Sequence, residues 1–227
     1  MRDPIVDQFQ IPITAGGHAL TASLRIPERA KALIIFGDAV EIPAEDDRVV
    51  HALEFDGYAT LRLPMTPLLR EWGRTDTLAR RLLDATNWAL AYEQTRSFPI
   101  GYFGREDGAD ACLLAAAECR SHVKGIVACG PAPESLDLEL SKVKAPTRLI
   151  AGEDDDELIA MNRRVMSGFG APVDLRIVPG SIQRRDVEVE MQLGRLATGW
   201  FDQFVVPPRR AYTPEERGIP PGYWPAG

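Results

Sequence analysis

Carboxylates occur at three places in this chain directly after a short apolar run. Asp38 follows Ala32–Phe36, Glu106 and Asp107 follow Ile100–Phe103, and the acidic stretch from Glu153 to Asp156 follows Thr147–Ala151. A carboxylate can attack carbon, take a proton from water, or hold a hard cation such as Mg²⁺ or Ca²⁺. If the apolar runs lie side by side as parallel strands, these groups collect at one rim of the sheet. Like charges repel there unless a divalent cation or a guanidinium joins them. Arg105, Arg184 and Arg185 are candidates for the second solution, with Glu106 neutralised by an arginine of the loop after Gln183. The Glu153–Glu157 stretch also fits a helix start, where the helix dipole favours negative charge. Imidazole chemistry has no comparable placement. His18 falls in a glycine turn, His51 in a helix candidate, and His122 in the turn before a strand. Cys112 and Cys119 share a helix face about 10 Å apart, too far to bond, and with Cys129 they read as reduced core thiols.

The elements that must position these groups follow from apolar periodicity. Ile5 to Ile13 and Ala19 to Ile26 alternate in polarity and flank Gly16-Gly17, which predicts an antiparallel ribbon at a sheet edge. Continuous apolar runs at 32–36, 58–63, 100–103, 125–129, 147–151 and 175–178 predict strands buried on both faces of a parallel sheet. Between them, spacings of three and four predict helices over 76–95, 107–120, 156–166 and 187–204, with a further helix over 46–55. This alternation implies right-handed crossovers and a doubly wound, mostly parallel α/β sheet with helices on both faces.

Within that pattern, the strand at Pro99 runs into Gly104-Arg-Glu-Asp-Gly108 and then into an Ala-rich helix. This strand-turn-helix resembles the nucleophile elbow of the α/β-hydrolase fold. The later strands ending Ile150-Ala-Gly152 and Val178-Pro-Gly180 are similar to those of the dienelactone-hydrolase-like branch, so the resemblance spans residues 5–205. It implies that residues 1–206 form an α/β-hydrolase domain. It also implies a nucleophile position at Glu106, an acid position at Asp155 and a histidine position at Gln183. The oxyanion loop falls on Gly37-Asp38-Ala39, and Asp38, Ala39, Asp107 and Arg184 are the further binding candidates. The triad works because a neutral imidazole takes the nucleophile's proton and returns it to the leaving group. An amide at position 183 cannot do this. The resemblance therefore implies a degenerate triad, and the expectation is a pseudoenzyme that serves as a binding or assembly protein. The alternative is an unconventional hydrolase in which the Glu106 and Asp155 carboxylates act, with or without a divalent cation. No cofactor is implied and no dedicated metal site is assigned.

Composition sets the remaining bounds. With 227 residues, 45% hydrophobic and 26% charged, the chain has enough apolar mass for one large core. Its net charge of −7 and lack of a basic stripe argue against nucleic acid and anionic membranes as partners. Reduced cysteines and the absence of an apolar leader at the N-terminus lead to the expectation of a cytoplasmic protein. Residues 207–227 differ in kind, holding six of the 18 prolines together with Tyr212, Tyr223 and Trp224. Two readings stand side by side: a free extended tail, or one that packs on the domain, on a second copy or on a protein partner.

Overall fold

The computed structural model describes residues 5–37, 46–64, 75–119, 121–133 and 139–207. The chain opens with a hairpin of β1 (Val6–Ala15) and β2 (His18–Pro27), in which Ala15 pairs with His18. Gly16 and Gly17 turn it with φ of 60° and 78°, a conformation that side chains with a Cβ resist. Next come β3 (Ala32–Phe36), α1 (Arg48–Phe55), β4 (Tyr58–Arg62), α2 (Thr75–Ala91) and β5 (Ile100–Arg105). The chain continues through α3 (Asp107–Cys119), β6 (Val123–Cys129), β7 (Thr147–Gly152), α4 (Asp156–Val165), β8 (Val173–Val178) and α5 (Val187–Phe204).

The strands form one eight-stranded sheet in the order β1-β2-β4-β3-β5-β6-β7-β8. β2 pairs antiparallel with both β1 and β4, and every pairing from β4 to β8 is parallel. Alternating residues of the central strands feed two cores. Ile35, Leu61, Tyr102 and Ile126 point into the layer that holds α2 and α3. Ile34, Phe103, Val127 and Ile150 point into the layer that holds α1 and α5.

Two ion pairs fasten this second layer. The Arg25 guanidinium grips the Glu54 carboxylate of α1 with two bonds, Nε to Oε1 at 2.6 Å and Nη2 to Oε2 at 3.0 Å. The Thr60 hydroxyl donates to the same Oε1 at 2.9 Å. On the far side Arg148 of β7 makes a bidentate pair with Asp174 of β8 at 2.9 and 2.8 Å while its guanidinium lies over the Trp200 ring of α5. One expectation is corrected. The 175–178 run reads as a strand buried on both faces, yet β8 is the sheet's edge, and Arg176 and Ile177 are exposed. A short apolar run has the same composition in a central strand and in an edge strand that packs on only one side.

Candidate functional site

The C-terminal ends of four adjacent strands, β5 to β8, build one cavity of about 230 Å³. Its lining is Glu106 from the end of β5, Gly130 from β6, Gly152, Asp154, Asp155 and Leu158 from β7 and α4, and Ser181, Ile182 and Gln183 beyond β8. Open α/β sheets place their ligands at this edge, outside the carboxyl ends of the strands.

Glu106 sits in a tight turn between β5 and α3 with φ of 51°, in the left-handed region that non-glycine residues rarely adopt. Such strain costs about 1–3 kcal/mol and persists only where the surroundings enforce it. Here they do. The Glu106 N–H donates to the Cys129 carbonyl at 2.8 Å, and its carbonyl accepts the N–H of Ala109 at 2.9 Å. The turn is so sharp that a Cβ on Gly104 would lie 2.3 Å from the Gly108 carbonyl oxygen. The Glu106 side chain is exposed at the cavity mouth, and no hydrogen bond or ion pair joins it to any described residue.

The neighbouring loops are held as closely. A Cβ on Gly152 would lie 2.5 Å from the Gly180 carbonyl, so the loops after β7 and β8 can touch only with glycine there. The Glu153 carboxylate accepts the Gly180 N–H at 3.1 Å across the same junction. Asp155 caps α4, its Oδ1 accepting the Leu158 N–H at 2.9 Å. This is the helix-start role expected of an acidic residue there, and it leaves Oδ2 for the cavity. Ile182 closes over Gly130, where an added Cβ would lie 2.8 Å from its Cδ1. Gln183 follows it, exposed at the rim.

The structure thus brings Glu106, Asp155 and Gln183 to a single cavity, while Asp38 and Ala39 lie outside the described residues. Asp107 is exposed at the first position of α3 and Arg184 is exposed beyond Gln183; neither lines the cavity. The expected neutralisation of Glu106 by an arginine after Gln183 is not seen, because neither Arg184 nor Arg185 forms an ion pair with Glu106. Arg105 is also turned away. It is buried on the opposite face of β5, donating to Glu190 Oε2 at 2.7 Å and lying 3.6 Å from Asp47 Oδ2. None of the three histidines lines the cavity. His51 lies on α1 beside Asp46, Arg48 and Met191, and His122 lies below the opposite, N-terminal ends of the strands. His18 begins β2 in the edge hairpin. Among the described residues no group of three or more His, Cys, Asp or Glu side chains is placed to hold a metal ion, and no helix is long and apolar enough to cross a membrane.

Asp154 lines the cavity as part of the acidic run expected at this rim, whereas sequence reasoning missed Ser181 and Ile182, because loop residues carry no periodicity. It also missed Asp110, although a carboxylate inside the run Ala109-Asp110-Ala111 is a signal in itself. Asp110 is buried in α3 one turn after Glu106 and accepts the Ala132 N–H at 2.9 Å. Burial pushes its carboxyl up to about 7. The Ala132 hydrogen bond pulls the other way, and the Asp107 charge adds to the rise. A carboxyl whose folded pKa is raised favours folding at low pH and loses that contribution as pH climbs from the ordinary carboxylate range through about 7. Asp110→Asn keeps the acceptor and removes the charge. Thermal melts should show the variant gaining on the parent as pH rises from 4 to 8. An offset independent of pH would contradict this assignment.

No protein-family profile matches the chain. Its structure superposes on the dienelactone hydrolase of Anabaena variabilis with a TM-score of 0.81 and 28% identity, over 90% of this chain and 100% of that one. It is also similar to Est1E of Butyrivibrio proteoclasticus, with a TM-score of 0.70 and 17% identity over 86% and 98% of the two chains. The chain therefore has the α/β-hydrolase fold, in its dienelactone-hydrolase-like form. In sequence it is 30% identical over 208 residues to a Mycobacterium tuberculosis protein of strain H37Rv that is provisionally named a phosphoribosyl transferase. That alignment covers 88% of this chain and 47% of the relative, so the chain spans about half the length of the curated relatives it matches.

Proposed function

We propose that this chain is a pseudohydrolase: an α/β-hydrolase-fold domain that acts as a binding or assembly protein and does not run acyl transfer. One observation carries the reading. The cavity at the strand ends holds Glu106, Asp155 and Gln183, and no imidazole lines it. Acyl transfer needs a group that accepts a proton from the nucleophile and delivers it to the leaving group, and a carboxamide has no such protonation near neutral pH. The strained turn at Glu106 remains, which supports descent from a catalytic elbow and leaves a carboxylate where a hydroxyl would attack.

Phosphoribosyl transfer does not suit this cavity. A phosphorylated sugar donor calls for cationic side chains or a cradle of backbone N–H groups. Among the described residues, the charged side chains of the lining are Glu106, Asp154 and Asp155, with no lysine or arginine. The three free thiols, two of them buried, fit a reducing, cytoplasmic setting.

A second reading has its own support. The cavity is open and Glu106 meets no arginine, so its carboxylate is available to act on water, alone or with a divalent cation shared with Asp155. Steady-state hydrolysis of p-nitrophenyl acetate and butyrate separates the two. The pseudohydrolase reading expects the same background rate from the wild-type chain and Glu106→Ala. Saturable turnover lost in Glu106→Ala would overturn it in favour of the second reading. A Mg²⁺-dependent thermal shift that disappears in Glu106→Gln would identify the cation form.

A further inference from the structure

The sheet ends at β1 on one side and at β8 on the other, and the two edges are built differently. β1 carries Pro12 within it, and a proline on an edge strand removes a donor and blunts pairing with another chain. β8 has neither proline nor glycine between Val173 and Val178, and its pairing with β7 runs without a bulge from Thr147–Val173 to Gly152–Val178. Pro172 and Pro179 bound it. Among the described residues β8 has no strand partner but β7, and the proline-rich segment after Pro207 lies outside the described residues.

Hydrogen-bond parity fixes what this edge offers. The Thr147 N–H donates to the Pro172 carbonyl and the Glu153 N–H to the Val178 carbonyl, both at 2.9 Å. The N–H and C=O of one strand residue point to the same side, and the sides alternate along the strand. Asp174, Arg176 and Val178 therefore turn their backbone groups to β7, and Val173, Leu175 and Ile177 turn theirs outward. On one face of the sheet Val173 and Leu175 pack on the core, and Ile177 beside them is 41% exposed. On the other face Arg176 Nε donates to Asp174 Oδ2 at 3.1 Å from a side chain that is 53% exposed.

We infer that β8 pairs antiparallel with β8 of a second copy of this chain, about a two-fold axis through Leu175. Charge selects both the partner and the register. Only residues that turn their backbone outward can exchange hydrogen bonds, so the two strands slip against each other in steps of two residues. With Leu175 opposite Leu175, each Asp174 faces Arg176 of the other copy and each Val173 faces Ile177, so both faces match themselves. One step either way sets Asp174 against Asp174 or Arg176 against Arg176, and like charges directly opposite are destabilising. In the matched register residues 174 and 176 form the non-hydrogen-bonded pair of the ladder, where side chains stand closest. Arg148 keeps its bidentate grip on Asp174, while the half-exposed Arg176 reaches across. The contact is isologous, so each pair occurs twice and growth stops at two copies. Pairing at β8 does not rest on the chemistry at Glu106.

Sedimentation velocity of the full chain from about 1 μM to about 1 mM tests it. A dimer, with no larger species, is expected to replace the monomer as concentration rises. Arg176→Glu sets like charges at both contacts, and Ile177→Lys places a charge on the edge. Each should raise the Kd of the dimer about tenfold or more. Both residues are exposed, so unchanged thermal melts of the dilute variants show that the fold is kept. Hydrogen exchange locates the contact: the amides of Leu175 and Ile177 should slow about tenfold in concentrated protein, and those of Asp174 and Arg176, bonded to β7 throughout, should not change. A monomer at every concentration would overturn the inference. So would a dimer whose Kd neither substitution moves, or one that leaves the Leu175 and Ile177 amides unprotected.

Discussion

Combining Glu106→Ser with Gln183→His is expected to raise the rate of covalent capture by a fluorophosphonate about 10²–10⁴-fold over Glu106→Ser alone, the contribution of a positioned general base. The elbow already holds residue 106 in the left-handed conformation that presents a short side chain to the cavity, and Asp155 already lines that cavity with one carboxylate oxygen uncommitted. A serine hydroxyl placed there without a base is an ordinary alcohol, so Glu106→Ser alone should label no faster than an exposed serine. An imidazole at position 183 sits on the lining loop opposite, where it can take the hydroxyl proton while Asp155 orients its other ring nitrogen. Intact-mass kinetics of the phosphonyl adduct give the rates directly. Equal rates for the single and double variants would show that position 183 does not present its side chain to residue 106.

Glu54→Ala should lose about 3–5 kcal/mol of stability, because it strands the Arg25 charge in a largely buried setting. The Arg25 and Glu54 side chains are only 10% and 3% exposed, so water replaces little of the lost partner. Thr60 loses its acceptor as well. Removing both charges with Arg25→Met and Glu54→Leu should restore much of the loss, since an apolar pair of similar volume carries no desolvation penalty. Urea unfolding midpoints, with unchanged slopes, would measure both effects. A loss below about 1 kcal/mol for Glu54→Ala would mean that the pair behaves as a surface contact. The pair matters to the site because α1 also starts at Asp47. That residue caps the helix through the N–H groups of Val49 and Val50 and faces Arg105, directly before the elbow.

Much of this architecture was legible in the residues. The hairpin follows from alternation around Gly16-Gly17, and α5 spans the predicted 187–204 because its apolar residues recur without interruption. Strand ends were less visible. β5 continues through Gly104 and Arg105 because its pairing with β6 extends to Cys129, and no local property of a charged residue announces such a partner. The elbow was readable because two glycines bracket a forced backbone. The Gly152–Gly180 contact is set by loops distant in sequence, and position 152 excludes a side chain because the Gly180 carbonyl lies where its Cβ would be. The counterion of Glu106 was misjudged for the same reason. Arginines near in sequence were available, but Arg105 faces the opposite side of the sheet and is taken by Glu190. Side-chain direction in a strand alternates, so a one-residue offset separates the two layers.

The central claim is that the carboxylate at the elbow has no proton shuttle and forms no acyl intermediate. Rapid mixing of the wild-type chain with p-nitrophenyl acetate, followed by intact-mass analysis, tests it most directly. The account predicts no burst of p-nitrophenolate and no acetyl adduct on residue 106. A burst equal to the protein concentration, with an adduct mapped to Glu106 and absent from Glu106→Ala, would contradict it.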